Sequence, residues 1–337
     1  MNLLERFKKI IENSNRILIT THIVPDADGI GSEISLCLAL RKLGKKALCV
    51  NEEDLLLRYK YLDQRSVIVG AEDFQANYRN ENQFKEFDLL IVVDTNTTHR
   101  VGSKMQKILG SKKVLFIDHH PCPEVIKSIH CIDTTAAATG QLVGKLIQAV
   151  GITFDKEMAL PLYTSILIDT SSFRYPTVSA DTHRIVSKLL DTGINPPMAY
   201  NGIYGTKKIP HMHLLGSILA STEGNSSGEI AWITVSQQEL DKFGIDVEDT
   251  YAFINNLLIL DNIKVALMFR DTGNQVKVSF RSTGDIDVGI MAQALGGGGH
   301  NHSAATLIEG NLEDVIHDTV AKIEVMLKST GDFPHQA

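Results

Sequence analysis

Cysteine is scarce in this chain of 337 residues: there are four, at positions 37, 49, 122 and 131. No two are spaced Cys-x-x-Cys, which argues against both a zinc knuckle and a disulfide framework. Cys37 and Cys49 lie among apolar residues and read as small buried hydrophobes. Long apolar runs are missing too: none approaches the roughly 20 residues a helix needs to cross a bilayer. The opening stretch MNLLERFKKIIENSNR mixes Glu5 and Glu12 with its basic residues. It has no apolar signal core, so it reads as a short amphipathic helix, and a cytoplasmic location away from membranes is expected. Positive charge is also short. Lys and Arg number 33 against 40 Asp and Glu, for a formal net charge of −7. That balance disfavours a surface built to grip long nucleic acid. It leaves a small phosphorylated substrate open, because a bound metal would neutralise carboxylates locally. Internal repeats are absent, and Trp232, the one tryptophan, reads as core and not as a base-stacking platform.

The remaining composition is that of a globular protein, with 43% hydrophobic and 22% charged residues. The length allows two or three domains. Through the first half, short apolar strands alternate with helical patterns. Strands are predicted at 16–21, 46–50, 87–93 and 114–117, and helices at 31–43, 135–150, 155–168 and 180–191. The strands are almost continuously apolar, as in a parallel sheet covered by helices on both faces. The sequence Gly193-Ile-Asn-Pro-Pro197 marks a boundary. An α/β domain over 1–192, a helical linker over 193–222 and a smaller α+β domain over 223–330 are expected. In the last of these, strands are predicted at 230–235, 264–270, 275–281 and 304–308, with helices at 247–260, 288–295 and 312–327.

The apolar runs of the first half share one property: they end in acids and imidazoles. RILITTHIVPDADGIGS leads to His22, Asp26 and Asp28; LLIVVDT leads to Asp94; VLFIDHHP leads to Asp118, His119 and His120; TSILIDTSSF leads to Asp169. In an open parallel sheet, ligands bind at the carboxyl ends of the strands. Oxygen and imidazole donors without thiolates suit hard or borderline divalent cations, Mn²⁺ or Mg²⁺ before Zn²⁺. There are more donors than one ion needs, which points to a two-metal site for hydrolysis at phosphorus. Neighbouring side chains on a strand point to opposite faces. His119 is therefore expected to ligate while Asp118 orients its neighbours, and His120 to touch the phosphate or assist proton transfer. Arg100 reads equally as a phosphate clamp or a surface ion pair.

A second feature is Gly296-Gly297-Gly298-Gly299-His300. Four glycines in succession are costly in regular structure and expose N–H groups to an anion. Gly297, Gly298, Gly299 and His300, with Arg281 and Ser282 at a strand end, form the expected substrate contacts.

Together these motifs resemble the DHH phosphoesterases, in the subgroup that carries a DHHA1 domain. HIVPDADGIGS, VVDT, DHH and ILIDTSSF stand in the family's order, and the C-terminal RS and GGGGH elements match the DHHA1 part. Within the family, the likeness is to bacterial oligoribonucleases that also act as phosphatases of 3′-phosphoadenosine 5′-phosphate (pAp). The resemblance implies one metal on His22, Asp26 and Asp94 and a second on Asp28, Asp94, His119 and Asp169, with Asp94 shared. It implies Mn²⁺, short single-stranded RNA or pAp as substrate, and His120 near the scissile phosphate. It also implies that Arg281, Ser282 and His300 hold the nucleotide, and a homodimer is compatible with it. Two motifs depart from the pattern: in the first, Thr21 stands where Asp often precedes the first histidine, and in the last, His302 and Ala305 stand where Asn and Gly are frequent. An exopolyphosphatase-like enzyme and a phosphodiesterase of linear dinucleotides such as pApA share the metal motifs. A non-catalytic nucleotide sensor is the alternative from another class.

Overall fold

The computed structural model describes residues 2–78, 84–110, 112–122, 129–205, 207–273 and 275–330, with residues 300, 329 and 330 described in backbone only. It divides into two compact units, Met1–Thr206 and Lys207–Ala337.

The first unit is built on six strands: β1 (Arg16–Thr20), β2 (Lys46–Asn51), β3 (Ile68–Gly70), β4 (Leu89–Val93), β5 (Val114–Asp118) and β6 (Ile129–Ile132). All pair in parallel, in the order β3-β2-β1-β4-β5-β6. Its helices are α1 (Leu3–Glu12), α2 (Ala27–Lys42), α3 (Ala71–Asp73), α4 (Ser103–Leu109), α5 (Thr139–Ala149), α6 (Lys156–Asp169), α7 (Ala180–Leu190) and α8 (Pro196–Tyr204). Strand side chains alternate between two cores, as the pleat requires. Ile17, Ile19, Ile91, Val93 and Ile117 face the layer containing α2, α5 and α6. Leu18, Leu90, Val92 and Phe116 face Met105 and Ile108 of α4. Helices thus cover both faces, as expected. From central β1 the chain builds outward to β2 and β3, then returns to add β4, β5 and β6 on the other side. This reversal leaves a crevice between the carboxyl ends of β1 and β4, the usual place for a ligand.

Two helix boundaries differ from the sequence reading for identifiable reasons. α2 starts at Ala27, four residues earlier than predicted, because the Asp26 carboxylate caps it, accepting from the N–H groups of Asp28 (2.8 Å) and Gly29 (3.3 Å). α5 starts at Thr139, later than predicted. Residues 133–136 form a turn in which Asp133 accepts from the N–H (3.1 Å) and hydroxyl (2.6 Å) of Thr135. Gly31 lets α2 meet α6 backbone to backbone: a Cβ there would lie 2.3 Å from the Pro161 carbonyl oxygen.

The second unit holds α9 (Ile209–Ala220), β7 (Glu223–Gly224), β8 (Ile230–Val235), α10 (Gln237–Phe243), β9 (Val265–Asp271), β10 (Gln275–Ser282), α11 (Val288–Ala294), β11 (Gly298–His300), β12 (Ser303–Glu309) and α12 (Leu312–Thr330). Its sheet runs β11-β12-β10-β9-β8-β7 and is antiparallel except for the parallel pair β8–β9. The helix predicted over 247–260 is instead two 3₁₀ segments, Val247–Thr250 and Phe253–Ile259. Asp246 accepts from Glu248 N–H (2.8 Å) and the Thr250 hydroxyl donates to the Val247 carbonyl (2.7 Å), local bonds that compete with α-helical ones.

The glycine run is a further correction, since half of it lies in a strand. Gly298 and Gly299 pair with Ala305 and Ala304 of β12. Here glycine serves close approach. Gly299 has φ +154°, and a Cβ on it would lie 2.4 Å from the Ala304 Cα. The N–H groups of Gly296 and Gly297 donate to the carbonyls of Gln293 (3.1 Å) and Ala292 (2.8 Å).

One buried acid serves neither cap nor ion pair. Glu33 of α2 is fully buried; Oε1 accepts from Asn51 Nδ2 at 2.7 Å and Oε2 has no partner among the described residues. Burial pushes its carboxyl well above its ordinary value of 4.5. An acid whose folded-state pKa is raised contributes stability that is complete below its unfolded pKa and is lost as pH rises through the folded one. Glu33→Gln removes that loss. Thermal melts should show the variant's advantage near zero at pH 4 and growing from pH 5 to pH 8; an advantage independent of pH would contradict a neutral Glu33.

Candidate metal centre

The crevice beside β1 and β4 gathers the acids and imidazoles expected at the strand ends. His22 follows β1, Asp26 and Asp28 open α2, Asp94 follows β4, Asp118 ends β5 ahead of His119 and His120, and Asp169 is the last residue of α6. Among the described residues, three groups bring ligand atoms within 4.8 Å of one another: His22, Asp26 and Asp94; Asp28, His119 and Asp169; and Asp94, His119 and His120. Asp94 and His119 each belong to two groups. Asp94 takes a left-handed backbone conformation, φ +61°, that Asp tolerates better than most residues.

The carboxylates crowd one another where water is scarce. Asp94 is raised well above the usual carboxylate range by burial first and then by the charges of Asp28, Asp26, Asp169 and Asp118. Asp28 is raised by burial, which outweighs the opposing charge of His119. Loss of water and the charges of Asp28, Asp26 and Asp118 raise Asp169 as well. Its side chain keeps 30% of its surface, so the neighbouring charges are the firmer cause there. An acid at the negative end of α6 is also poorly placed for that helix dipole.

The histidines are turned to suit a cation. His22 Nδ1 donates to the Ile23 carbonyl at 2.8 Å and His119 Nδ1 to the Ala136 carbonyl at 3.2 Å. A carbonyl only accepts, so each Nδ1 carries the proton and each Nε2 presents a lone pair. Those lone pairs face carboxylates: His22 Nε2 lies 3.5 Å from Asp94 Oδ2, and His119 Nε2 lies 3.1 Å from Asp169 Oδ2. His119 Nε2 is buried without a hydrogen bond. Lone pair against carboxylate is repulsive until a positive ion sits among them. The residues therefore fit divalent cations held by His22, Asp26, Asp28, Asp94, His119 and Asp169.

His120 is held differently. Its Nδ1 donates to Asp118 Oδ1 at 2.7 Å, and the same oxygen accepts from the N–H groups of His119 (2.9 Å) and His120 (3.2 Å). Burial lowers the His120 pKa, but the hydrogen bond and charge of Asp118 outweigh it and the imidazole is raised. Burial likewise pushes Asp118 up, and His120 outweighs it, holding that carboxyl below the usual range. Asp118 thus holds the backbone of both histidines but the ring of His120 alone, the His119 ring being held by the Ala136 carbonyl, and His120 is the one equipped to be positive. Arg100 is exposed in a short 3₁₀ segment, and its carbonyl accepts from Ile23 N–H at 2.6 Å, tying the loop after β4 to the loop after β1.

Residues that the sequence reading did not single out hold Asp28. Its Oδ1 accepts from the Ser165 hydroxyl (2.5 Å), Gly140 N–H (3.0 Å) and the Ser32 hydroxyl (3.4 Å); its Oδ2 accepts from Thr139 N–H (2.8 Å). The Thr139 hydroxyl donates to Asp94 Oδ1 at 2.9 Å. For Thr139 and Gly140 the only sequence signal is Thr-Gly opening an apolar helical run, while Ser32 and Ser165 lie within the motifs that carry Asp28 and Asp169.

In the second unit, Arg281 Nη1 donates to the Phe280 carbonyl at 2.9 Å. Ser282 is buried, its oxygen 2.6 Å from the Ile286 carbonyl, 3.2 Å from the Asn301 carbonyl and 3.0 Å from His302 Nδ1. The side chain of His300 lies outside the described residues.

Comparison with known proteins gives a consistent picture. The DHH family N-terminal domain matches residues 16–167 and the DHHA1 domain matches residues 230–328. The bifunctional oligoribonuclease and PAP phosphatase NrnA of Thermus thermophilus is 28% identical over 311 residues, covering 92% of this chain and 89% of that protein. An exopolyphosphatase-related protein of Bacteroides fragilis superposes with a TM-score of 0.85 at 25% identity, over 97% of this chain and 96% of that one. RecJ of Thermus thermophilus, solved in complex with Mn²⁺, shares the fold at a TM-score of 0.55 and 11% identity, over 99% of this chain and 55% of RecJ.

Gly140→Ala tests how tightly the acids are held. Its Cβ would lie 1.9 Å from Ser165 Oγ, driving that hydroxyl away from Asp28. Titration should show Mn²⁺ affinity falling roughly 10- to 100-fold, with about 1–3 kcal/mol lost in stability from overpacking. Wild-type affinity would mean that Ser165 does not support the centre.

Proposed function

Because the chain belongs to the DHH family of phosphoesterases, joining a DHH N-terminal domain to a DHHA1 domain, we propose that it hydrolyses short oligoribonucleotides to mononucleotides and pAp to AMP. The observation that carries this reading is the pair of histidine lone pairs aimed at carboxylates, His22 at buried Asp94 and His119 at Asp169. His22, Asp26 and Asp94 would hold one cation and Asp28, Asp94, His119 and Asp169 the other. Once bound, two divalent ions, Mn²⁺ or alternatively Mg²⁺, would activate water and neutralise charge at phosphorus.

The chain's own residues then divide the work. Asp94 and His119 set the spacing of the cation ligands. His120, whose protonated form Asp118 favours, places positive charge or a proton at a phosphoryl oxygen. Arg100, exposed beside the loop that carries His22 and Asp26, clamps a phosphate with its two-pronged donor set. Arg281, Ser282, Gly297, Gly298, Gly299 and His300 hold the nucleotide in the DHHA1 domain, with Ser282 acting through the orientation of His302. Among the described residues no helix is long and apolar enough to cross a membrane, which is compatible with a cytoplasmic substrate. A second reading, removal of phosphate from polyphosphate, is favoured by the likeness to the exopolyphosphatase-related protein.

The deciding experiment follows phosphate and mononucleotide release from pAp, RNAs of graded short length, pApA and polyphosphate, with Mn²⁺ and with chelator. Manganese-dependent turnover of short RNA and pAp is expected. Turnover of polyphosphate alone would select the second reading, and binding of nucleotide without turnover would make the chain a sensor.

Two variants sharpen the assignment. Asp94→Ala should abolish turnover, by a factor on the order of 10³ or more, because it removes a ligand shared by both ions. Arg281→Ala should mainly raise KM for nucleotide substrates, and unchanged kinetics on pAp and RNA would remove Arg281 from the binding surface.

A further inference from the structure

Thr139 is the first residue of α5, fully buried, and it is bonded to two of the centre's acids at once. Its N–H donates to Asp28 Oδ2 at 2.8 Å and its hydroxyl donates to Asp94 Oδ1 at 2.9 Å. Asp28 groups with His119 and Asp169, whereas Asp94 groups with His22 and Asp26 and also with His119 and His120, so the bonds of Thr139 join an acid of one subsite to the acid shared between both. We propose that Thr139 is a positioning residue that sets the separation of the two cation subsites, an inference that rests on the metal reading above.

Three features support it. First, the bonds assign the oxygens of both acids. With Oδ1 of Asp94 held by Thr139, Oδ2 is the oxygen turned toward His22 Nε2, 3.5 Å away. With Asp28 Oδ1 occupied by Ser165, Gly140 and Ser32, Oδ2 is the oxygen that faces His119 Nε2 at 3.8 Å. Second, α5 has no cap of its own. Ala138 at its N-cap offers no side-chain acceptor, and Asp28, reaching over from α2, takes the first N–H groups of α5. Acid and helix end therefore fix each other. Third, the residue type fits. Inside a helix a threonine hydroxyl tends to bond the carbonyl three or four residues back. At the first helical position no such helical carbonyl lies behind it, so the hydroxyl is free to reach Asp94 while the β-branch restricts its rotamer. The spacing of the two acids is then fixed by the short, stiff path from N to Oγ1 within one residue.

The test uses Mn²⁺ alone with the full chain, without substrate. Wild type, Thr139→Val and Thr139→Ser are compared by calorimetric titration and by low-temperature electron paramagnetic resonance, which distinguishes a coupled manganese pair from isolated ions. Valine keeps the shape and the N–H donor to Asp28 and removes only the bond to Asp94. We expect Thr139→Val to weaken uptake of the second Mn²⁺ roughly 10- to 100-fold and to lose the coupled-pair signal at concentrations that fill the wild type, while Thr139→Ser recovers most of both. Thermal melts without metal report whether each variant folds; if valine is not accommodated, Thr139→Ala carries the same comparison. Wild-type affinity and coupling in the folded variant would overturn the role of Thr139 and leave the metal centre standing. A wild-type chain that takes up no Mn²⁺, or an Asp94→Ala variant that takes up as much, would overturn the metal reading and this inference with it.

Discussion

The first unit is organised around mutual repulsion among carboxylates that have been taken out of water. Asp26, Asp28, Asp94 and Asp169 converge at the carboxyl ends of β1 and β4, and burial together with neighbouring charge pushes the carboxyls of Asp28, Asp94 and Asp169 upward. The fold offsets part of that cost locally. α2 caps itself on Asp26, α5 offers its first N–H groups to Asp28, and Thr139 bonds Asp94. The remainder calls for positive charge, and His22 and His119 do not supply it, because they are turned so that their Nε2 lone pairs face the acids. An arrangement that is costly by itself becomes favourable when divalent cations complete it.

Close packing is what makes this convergence possible. α2 touches α6 through Gly31, and α5 meets Ser165 of α6 through Gly140. A methyl group at either place would separate the helices that carry Asp28, Asp169 and their hydrogen-bond donors. The glycines beside the centre thus act by absence: they bring donors from three helices onto one carboxylate. In the second unit, Gly297 and Gly299 do the same for the approach of β11 to β12.

The acids and imidazoles were legible because each follows an apolar run, and strand polarity delivers such residues to one sheet edge. The parallel sheet with helices on both faces was legible for the same reason, since its strands are apolar on both sides. Helix starts were less so. The capping acid Asp26 looks in sequence like a ligand alone, and the Asp133–Thr135 turn resembles a helical opening. The 247–260 segment keeps helical periodicity while Asp246 and Thr250 divert its backbone bonds. Thr139, Gly140 and Ser165 left almost no trace as partners of the acids, because each acts through bonds to residues more than 40 positions away, and periodicity cannot register such a pairing. Ser282 was legible as polar at a strand end, but its enclosure by Ile286, Asn301 and His302 depends on a turn that only the folded sheet brings together.

The proposed cation ligands run from His22 to Asp169, drawn from three strand ends and two helices. No local stretch of chain contains a usable set, so the constellation exists only after long loops have closed and both sides of the sheet have been laid down. An ion therefore has little to grip in a partly folded chain. Contacts made only in the finished structure leave the folding rate nearly unchanged and slow the escape from it. For this chain, a bound cation would act as a latch on the native state: it would lengthen the lifetime of the folded protein without helping to fold it.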